Sequence, residues 1–345
     1  MFIFNQKSVR FIKWIIASFS YALPVWAHEQ WLLSPSETQI WNQKPPPTVF
    51  SQITLMNLIF FTLAILFLLF WIIAARTKLH QRFSPLEEFL KRNAEYGALF
   101  IRWGTGIMLL ISAFGLIPRR GNALFTPTVF APDLVVHLSN IYSYLIICLE
   151  ILIGIGLIIG LYVRLMTLLL FVLLIIGCYL FQQAMFPYLG FYLGIISYLL
   201  LQGGGRWYLP LKPRSPNWLC QPVSRAQFLL RIGTGISFLY AGIGYKFLQP
   251  NLALGILEMN NAFTFGISYA VFVLGMAFTE TIFGILILLG FLIRPLAIIL
   301  VILFTFLSLN VGENMLAHSF IYGILFAFIL NGSGSMEKNN DWKSK

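Results

Sequence analysis

The sequence predicts an all-α polytopic membrane protein: two tandem, parallel four-helix transmembrane bundles and one preceding transmembrane helix. Three observations carry this. Of 345 residues, 59% are hydrophobic and 10% charged, with apolar runs near the roughly 20 residues that a spanning helix needs. One pattern, E-x3-G-x5-G-x3-R, occurs twice, from Glu150 to Arg164 and from Glu280 to Arg294. The basic residues also segregate by side when the runs are threaded alternately through a bilayer.

In chain order, residues 1–27 resemble a secretory signal, with Lys7, Arg10 and Lys13 ahead of a short apolar core and a cleavage site at Val25-Trp26-Ala27. An uncleaved signal anchor is the alternative. Residues 28–52 are polar, end in Pro45-Pro46-Pro47, and read as an extended periplasmic arm. Residues 53–97 hold a spanning anchor at 53–75 and a charged loop. Residues 98–205 form the first repeat, with spans at 98–117, 141–161, 165–184 and 188–203. A cytoplasmic linker, 206–226, precedes the second repeat, 227–334, with spans at 228–245, 269–290, 295–311 and 316–331. Residues 335–345 are a cytoplasmic tail. Tight hairpins fall at Tyr162–Arg164 and Leu292–Arg294.

With residues 28–52 outside, sixteen Lys and Arg fall on the cytoplasmic side, four outside (Lys44, Arg119, Arg120, Lys246) and three in the amino-terminal basic region. That asymmetry places the chain in a bacterial inner membrane, with the arm periplasmic and the carboxy terminus cytoplasmic. It also accounts for the net charge of +11 without nucleic acid as a partner; the lipid bilayer is the partner. The three cysteines are too scattered for a disulfide or zinc framework.

The repeat extends beyond the acid. Arg102-Trp-Gly104-Thr105-Gly106 opens the first unit and Arg231-Ile-Gly233-Thr234-Gly235 the second. Four spans per unit is an even number, so both units share one orientation. Around a helix, Glu, both Gly and Arg of the doubled pattern lie on one face, where small residues admit a neighbouring helix. An acid in mid-helix is expensive. Glu280 lies near half depth, and Arg294 is about 21 Å further along the axis, too far for an ion pair. Unless another helix supplies a cation, the carboxyl is expected to hold its proton and donate to a backbone carbonyl, a Tyr or a quinone oxygen. The bland alternative is a polar clasp between helices, and Glu150 is the same case with a weaker surround.

The other polar residues have bland readings too. Arg102, Arg164, Arg231 and Arg294 are expected to anchor to anionic headgroups, and Lys246 to snorkel outward. Glu313 and His318 are one and a half turns apart, not squarely on one helix face; Gln183 and Tyr188 align with them in unit one. Polar residues thus concentrate in unit two. If cleavage follows Ala27, the amine and imidazole of His28 could chelate copper, with His137 or His318 completing a nitrogen site. No P-loop, H-E-x-x-H, nucleophile elbow or C-x-x-C-H is present.

The second unit's Arg231 with Gly235, Gly242-Ile-Gly-Tyr-Lys246, and Glu280 to Arg294 resemble the DoxX family of small four-helix membrane proteins. The first unit keeps the Arg and the acid helix, but Ile117 stands where Lys246 aligns. The resemblance covers about 98–334. It implies a membrane subunit of a quinone-linked redox system, working with other redox-complex subunits, in which Glu280, Lys246 and His318 are the candidate catalytic groups. Glu150, Arg231, Arg294 and Glu313 are the candidate contacts for the cofactor, quinone. A non-catalytic scaffold for a periplasmic enzyme and a small-solute or metal-peptide transporter are the rival readings.

Overall fold

The computed structural model describes residues 32–76, 89–90, 92–117, 125–137, 141–205, 207 and 223–333, and the statements below concern these. The signal region, most of the linker and the carboxy-terminal tail lie outside them, as do His28, Arg119 and Arg120.

Each of the nine predicted spans contains a helix. They are α2 (Leu55–Arg76), α3 (Tyr96–Ala113), α4 (Ile141–Ile159), α5 (Val163–Phe181), α6 (Phe186–Gln202), α7 (Val223–Tyr240), α9 (Tyr269–Leu289), α10 (Ile293–Val311) and α11 (Ser319–Asn331). Outside the predicted spans lie two longer helices, α1 (Pro35–Gln43) and α8 (Pro250–Met259), and a single helical turn, Thr48–Ser51. Seven helical runs are long and apolar enough to cross a membrane, and one of them, Val163–Gln202, is α5 and α6 together. The backbone breaks at Gln182, whose φ is 48°, and Pro187 starts the next helix. The chain is a multi-pass membrane protein.

The glycine pairs explain the packing. Residues two apart on a helix point about 200° apart, so Gly-Thr-Gly bares backbone on two opposite sides. A Cβ at Gly104 would lie 2.3 Å from the Ser319 carbonyl oxygen of α11, and one at Gly106 2.7 Å from the Gly154 oxygen of α4. In α7 a Cβ at Gly233 would lie 2.2 Å from the Gly190 oxygen of α6, and one at Gly235 3.0 Å from the Gly284 oxygen of α9. The closely packed helices are therefore α3, between α4 and α11, and α7, between α6 and α9. By contrast α2 sits at the periphery, with 11% of its spanning window buried against 72% for α3. It rests on α9 through Phe60 stacked on Phe278, and Trp71 Nε1 donates to the Phe291 carbonyl at 3.0 Å.

Three features differ from the expectations or add to them. The segment read as an extended arm holds α1, started by a capping box in which Ser34 Oγ accepts from the Glu37 amide and Glu37 accepts from the Ser34 amide. Trp41 of α1 covers Gly255 of α8, where a Cβ would lie 2.7 Å from the indole. The loop between α3 and α4 is not wholly irregular: β1 (Thr128–Val129) and β2 (Ala131–Val135) pair antiparallel around Phe130. This hairpin is buried almost throughout, so it enters the bundle rather than lying on it.

The third feature concerns the arginines. They are not free for headgroups. Arg102, with no exposed surface, donates to the carbonyls of Gly204 and Trp207 at 2.7 and 2.8 Å. Arg164 Nε donates to Leu200 at 3.0 Å, and Arg231 to Ser333 at 2.8 Å. Arg294 donates to Ile329 and Leu330 at 3.1 and 3.2 Å. The last carbonyls of a helix lack intrahelical partners, and cations are favoured there. The arginines thus close the ends of α6 and α11 in pairs.

Candidate functional site

The site is built on α9. Glu280 is eleven residues from its start, about 16 Å along the axis, so near half depth in the membrane. The chain does supply a cation for it. After Tyr240 the α7 helix continues as a π turn, Ala241–Phe247, a form that concentrates at functional positions. Gly242 lets that turn lie against α9, since a Cβ there would meet Thr281. Lys246 then reaches Glu280: Nζ donates to Oε1 at 2.7 Å, with the side chains 6% and 15% exposed. Lys246 does not snorkel, and the expectation of a protonated, self-sufficient acid gives way to an ion pair. Glu280 Oε2 has no hydrogen-bond partner among the described residues.

Two cavities meet at this carboxyl. The larger, about 300 Å³, lies between α2, α9 and α10 and is almost entirely apolar; Phe60, Phe272, Phe283 and Phe304 are in its wall. Among its lining, Thr279 already donates its hydroxyl to the Gly275 carbonyl and keeps only acceptor capacity, and Glu280 is the charged group in the wall. Phe265 and Phe306, stacked and exposed at its edge, bring it to the surface of the bundle. The smaller cavity, about 30 Å³, is lined by Glu280 with Ser308, Glu313 and His318, and by Ile256 and Leu257 of α8.

Glu313 and His318 do meet, despite their helical spacing. The α10 helix ends at Gly312 in the left-handed conformation, and Asn314 starts a separate 3-10 turn ending at His318. The wheel argument fails because no single helix contains both. His318 Nε2 lies 2.6 Å from Glu313 Oε1, both side chains 5% exposed. His318 also lies edge-on to Phe304.

Glu150 has a different task. It is fully buried, and its Oε1 accepts the Phe130 amide at 2.8 Å. Phe130, with φ of 65°, forms the tip of the β1–β2 hairpin, and its carbonyl accepts from Tyr192 at 2.8 Å. Non-helical backbone at membrane depth is tolerated only where its polar groups find partners inside the protein. Glu150 supplies one and Tyr192 the other. Where Lys246 serves unit two, unit one places a backbone amide, and Ile117 is buried. Tyr188, aligned with His318, donates to Asp133 at 2.5 Å.

Sequence reasoning thus named Glu280, Lys246, Glu313 and His318, which the structure brings to neighbouring walls. Arg231, eight residues into α7, and Arg294, at the start of α10, reach towards the opposite end, where they bond carbonyls at the end of α11. His137 is outside the site, its carbonyl accepting from Ser143, and His28 lies beyond the described residues. Among the described residues no three His, Cys, Asp or Glu converge to hold a metal ion. Reasoning from sequence missed Phe130, Phe60 and α8. The Ser34-x-x-Glu37 box was a legible signal for α1; nothing comparable announced the hairpin.

No protein-family model, curated protein or solved structure matches this chain.

Proposed function

We propose that this protein is a DoxX-like membrane subunit of a redox system, and that the cavity beside Glu280 takes up a quinone or quinol. The observation that carries the reading is a carboxylate with one oxygen committed to Lys246 and the other without a hydrogen-bond partner among the described residues, in the wall of a largely apolar, phenylalanine-rich cavity that reaches the lipid-facing surface. A volume near 300 Å³ is at the lower end for small-molecule sites, which are mostly apolar with a few placed polar groups. A quinone ring suits flanking phenylalanines, and its isoprenoid tail would remain in lipid. Glu280 accepts a hydrogen bond and then takes, in turn, one proton from each of the two quinol hydroxyls, unloading the first before it accepts the second, so that two protons leave with the two electrons. The electrons pass to an acceptor centre on a partner redox subunit.

The test is binding of a short-chain quinol analogue to the purified protein in nanodiscs. A hydrogen bond to a charged group contributes about 1.5–3 kcal/mol, so Glu280→Gln should weaken binding about tenfold or more. Glu150→Gln should leave it unchanged. Equal affinity in all three proteins would remove the reading.

A further inference from the structure

The same carboxyl lines both cavities, and the second one leads somewhere. We infer that Glu280 exchanges protons with one face of the membrane, the face carrying α8, through a water in the smaller cavity and the Glu313–His318 pair. The inference rests on the reading of Glu280 as the acid of the quinone site, and it adds where the protons go.

A cavity holds a water when it has room for about one probe sphere, roughly 10–15 Å³, and offers two to four polar partners. This one has about 30 Å³ and four polar side chains: Glu280, Ser308, Glu313 and His318. A water there can accept a proton from Glu280 and pass one of its own to the Glu313–His318 pair. At each step one O–H bond breaks and one O–H bond, or an N–H bond where the imidazole is the acceptor, forms. From the pair the way out is short. Glu313 sits between Gly312 and Asn314, both exposed.

The route has one direction. Towards the other face, α9 runs through Phe283, Gly284, Leu286 and Ile287, all buried, to Gly290. The charged groups at that end, Arg231 and Arg294, are engaged with the carbonyls of Ser333, Ile329 and Leu330. Around Glu280 itself, the facing titratable groups are Lys246, on the π turn with Tyr245, and Glu313 and His318 across the cavity. Tyr240 precedes the π turn and stacks edge-on to Tyr245. From α8 the cavity receives Ala253, Ile256 and Leu257, with Glu258 exposed on the helix's other side. The α8 helix therefore roofs the cavity with apolar side chains, and the polar exit lies at its edge.

The experiment uses a lipid-soluble carbodiimide, which modifies protonated carboxyls within a membrane, on vesicles containing the full chain in each orientation. Labelling of Glu280 is read by mass spectrometry after a jump in external pH. Acidifying the α8 face should raise labelling severalfold, whereas acidifying the opposite face should not change it. The variant Glu313→Gln/His318→Gln, verified as folded by its gel-filtration profile, should lose most of the fast response. Labelling that follows the opposite face, or that follows both faces equally, overturns the inference. So does a full fast response in the double variant. Adding a short-chain quinol separates the two readings. If it fails to protect Glu280 while labelling still follows the α8 face, the quinone site is lost and the proton route stands.

Discussion

Replacing Lys246 with methionine tests the central geometry most directly. At 2.7 Å the pair attracts by about 6 kcal/mol for an effective dielectric of 20. Holding both ions out of water costs several kcal/mol each, so the net contribution is small. Removing one partner is different, because the other charge stays buried without compensation. Lys246→Met alone should therefore destabilise by about 3–5 kcal/mol, and Glu280→Gln alone by a similar amount. The double variant leaves two neutral groups in the same space and should cost less than either single variant, a coupling of more than about 3 kcal/mol. Reversible unfolding in mixed detergent micelles, followed by circular dichroism, gives all three values. A double variant whose loss equals the sum of the single losses, within about 0.5 kcal/mol, would refute the ion pair.

Other substitutions check the surrounding structure. Glu150→Gln keeps an acceptor for the Phe130 amide and should unfold within about 1 kcal/mol of the parent, whereas Glu150→Leu leaves that amide unpaired and should cost about 1–3 kcal/mol in the same titration. Arg294→Ala removes hydrogen bonds from a cation to the last carbonyls of α11 and should lower stability by about 1.5–3 kcal/mol; no shift in the unfolding midpoint would return the arginine to a lipid role. Gly233→Leu drives a side chain into the Gly190 carbonyl, where backbone cannot retreat cheaply, and overpacking of about 1–3 kcal/mol or more should appear as loss of the monodisperse gel-filtration peak.

The spans were legible because apolar length and charge segregation are local properties that lipid enforces on each helix separately. Glu280 was legible for a related reason, since an acid in such a helix demands an explanation. Its partner was half visible: Lys246 stood out as one of few basic residues on its side, but only a π turn could aim it at α9. The arginines misled because a cation at a helix end fits headgroups and carbonyls equally well in one dimension. The Glu313–His318 pair was hidden by applying α-helical spacing to two residues that a 3-10 turn brings together. The hairpin at Phe130 was invisible, because what admits it is a carboxylate twenty residues later and a tyrosine on a third helix.

The crossing of α3 onto α11 bears on how the chain is made. The groove at Gly104 is filled by Ser319, 215 residues later, and Ser319 Oγ donates to the Gly104 carbonyl at 2.9 Å. Because α3 is made well before α11, the Ser319 contact cannot form until α11 has followed it. A chain cut short before α11 would leave the groove of α3 at Gly104 without the residue that fills it.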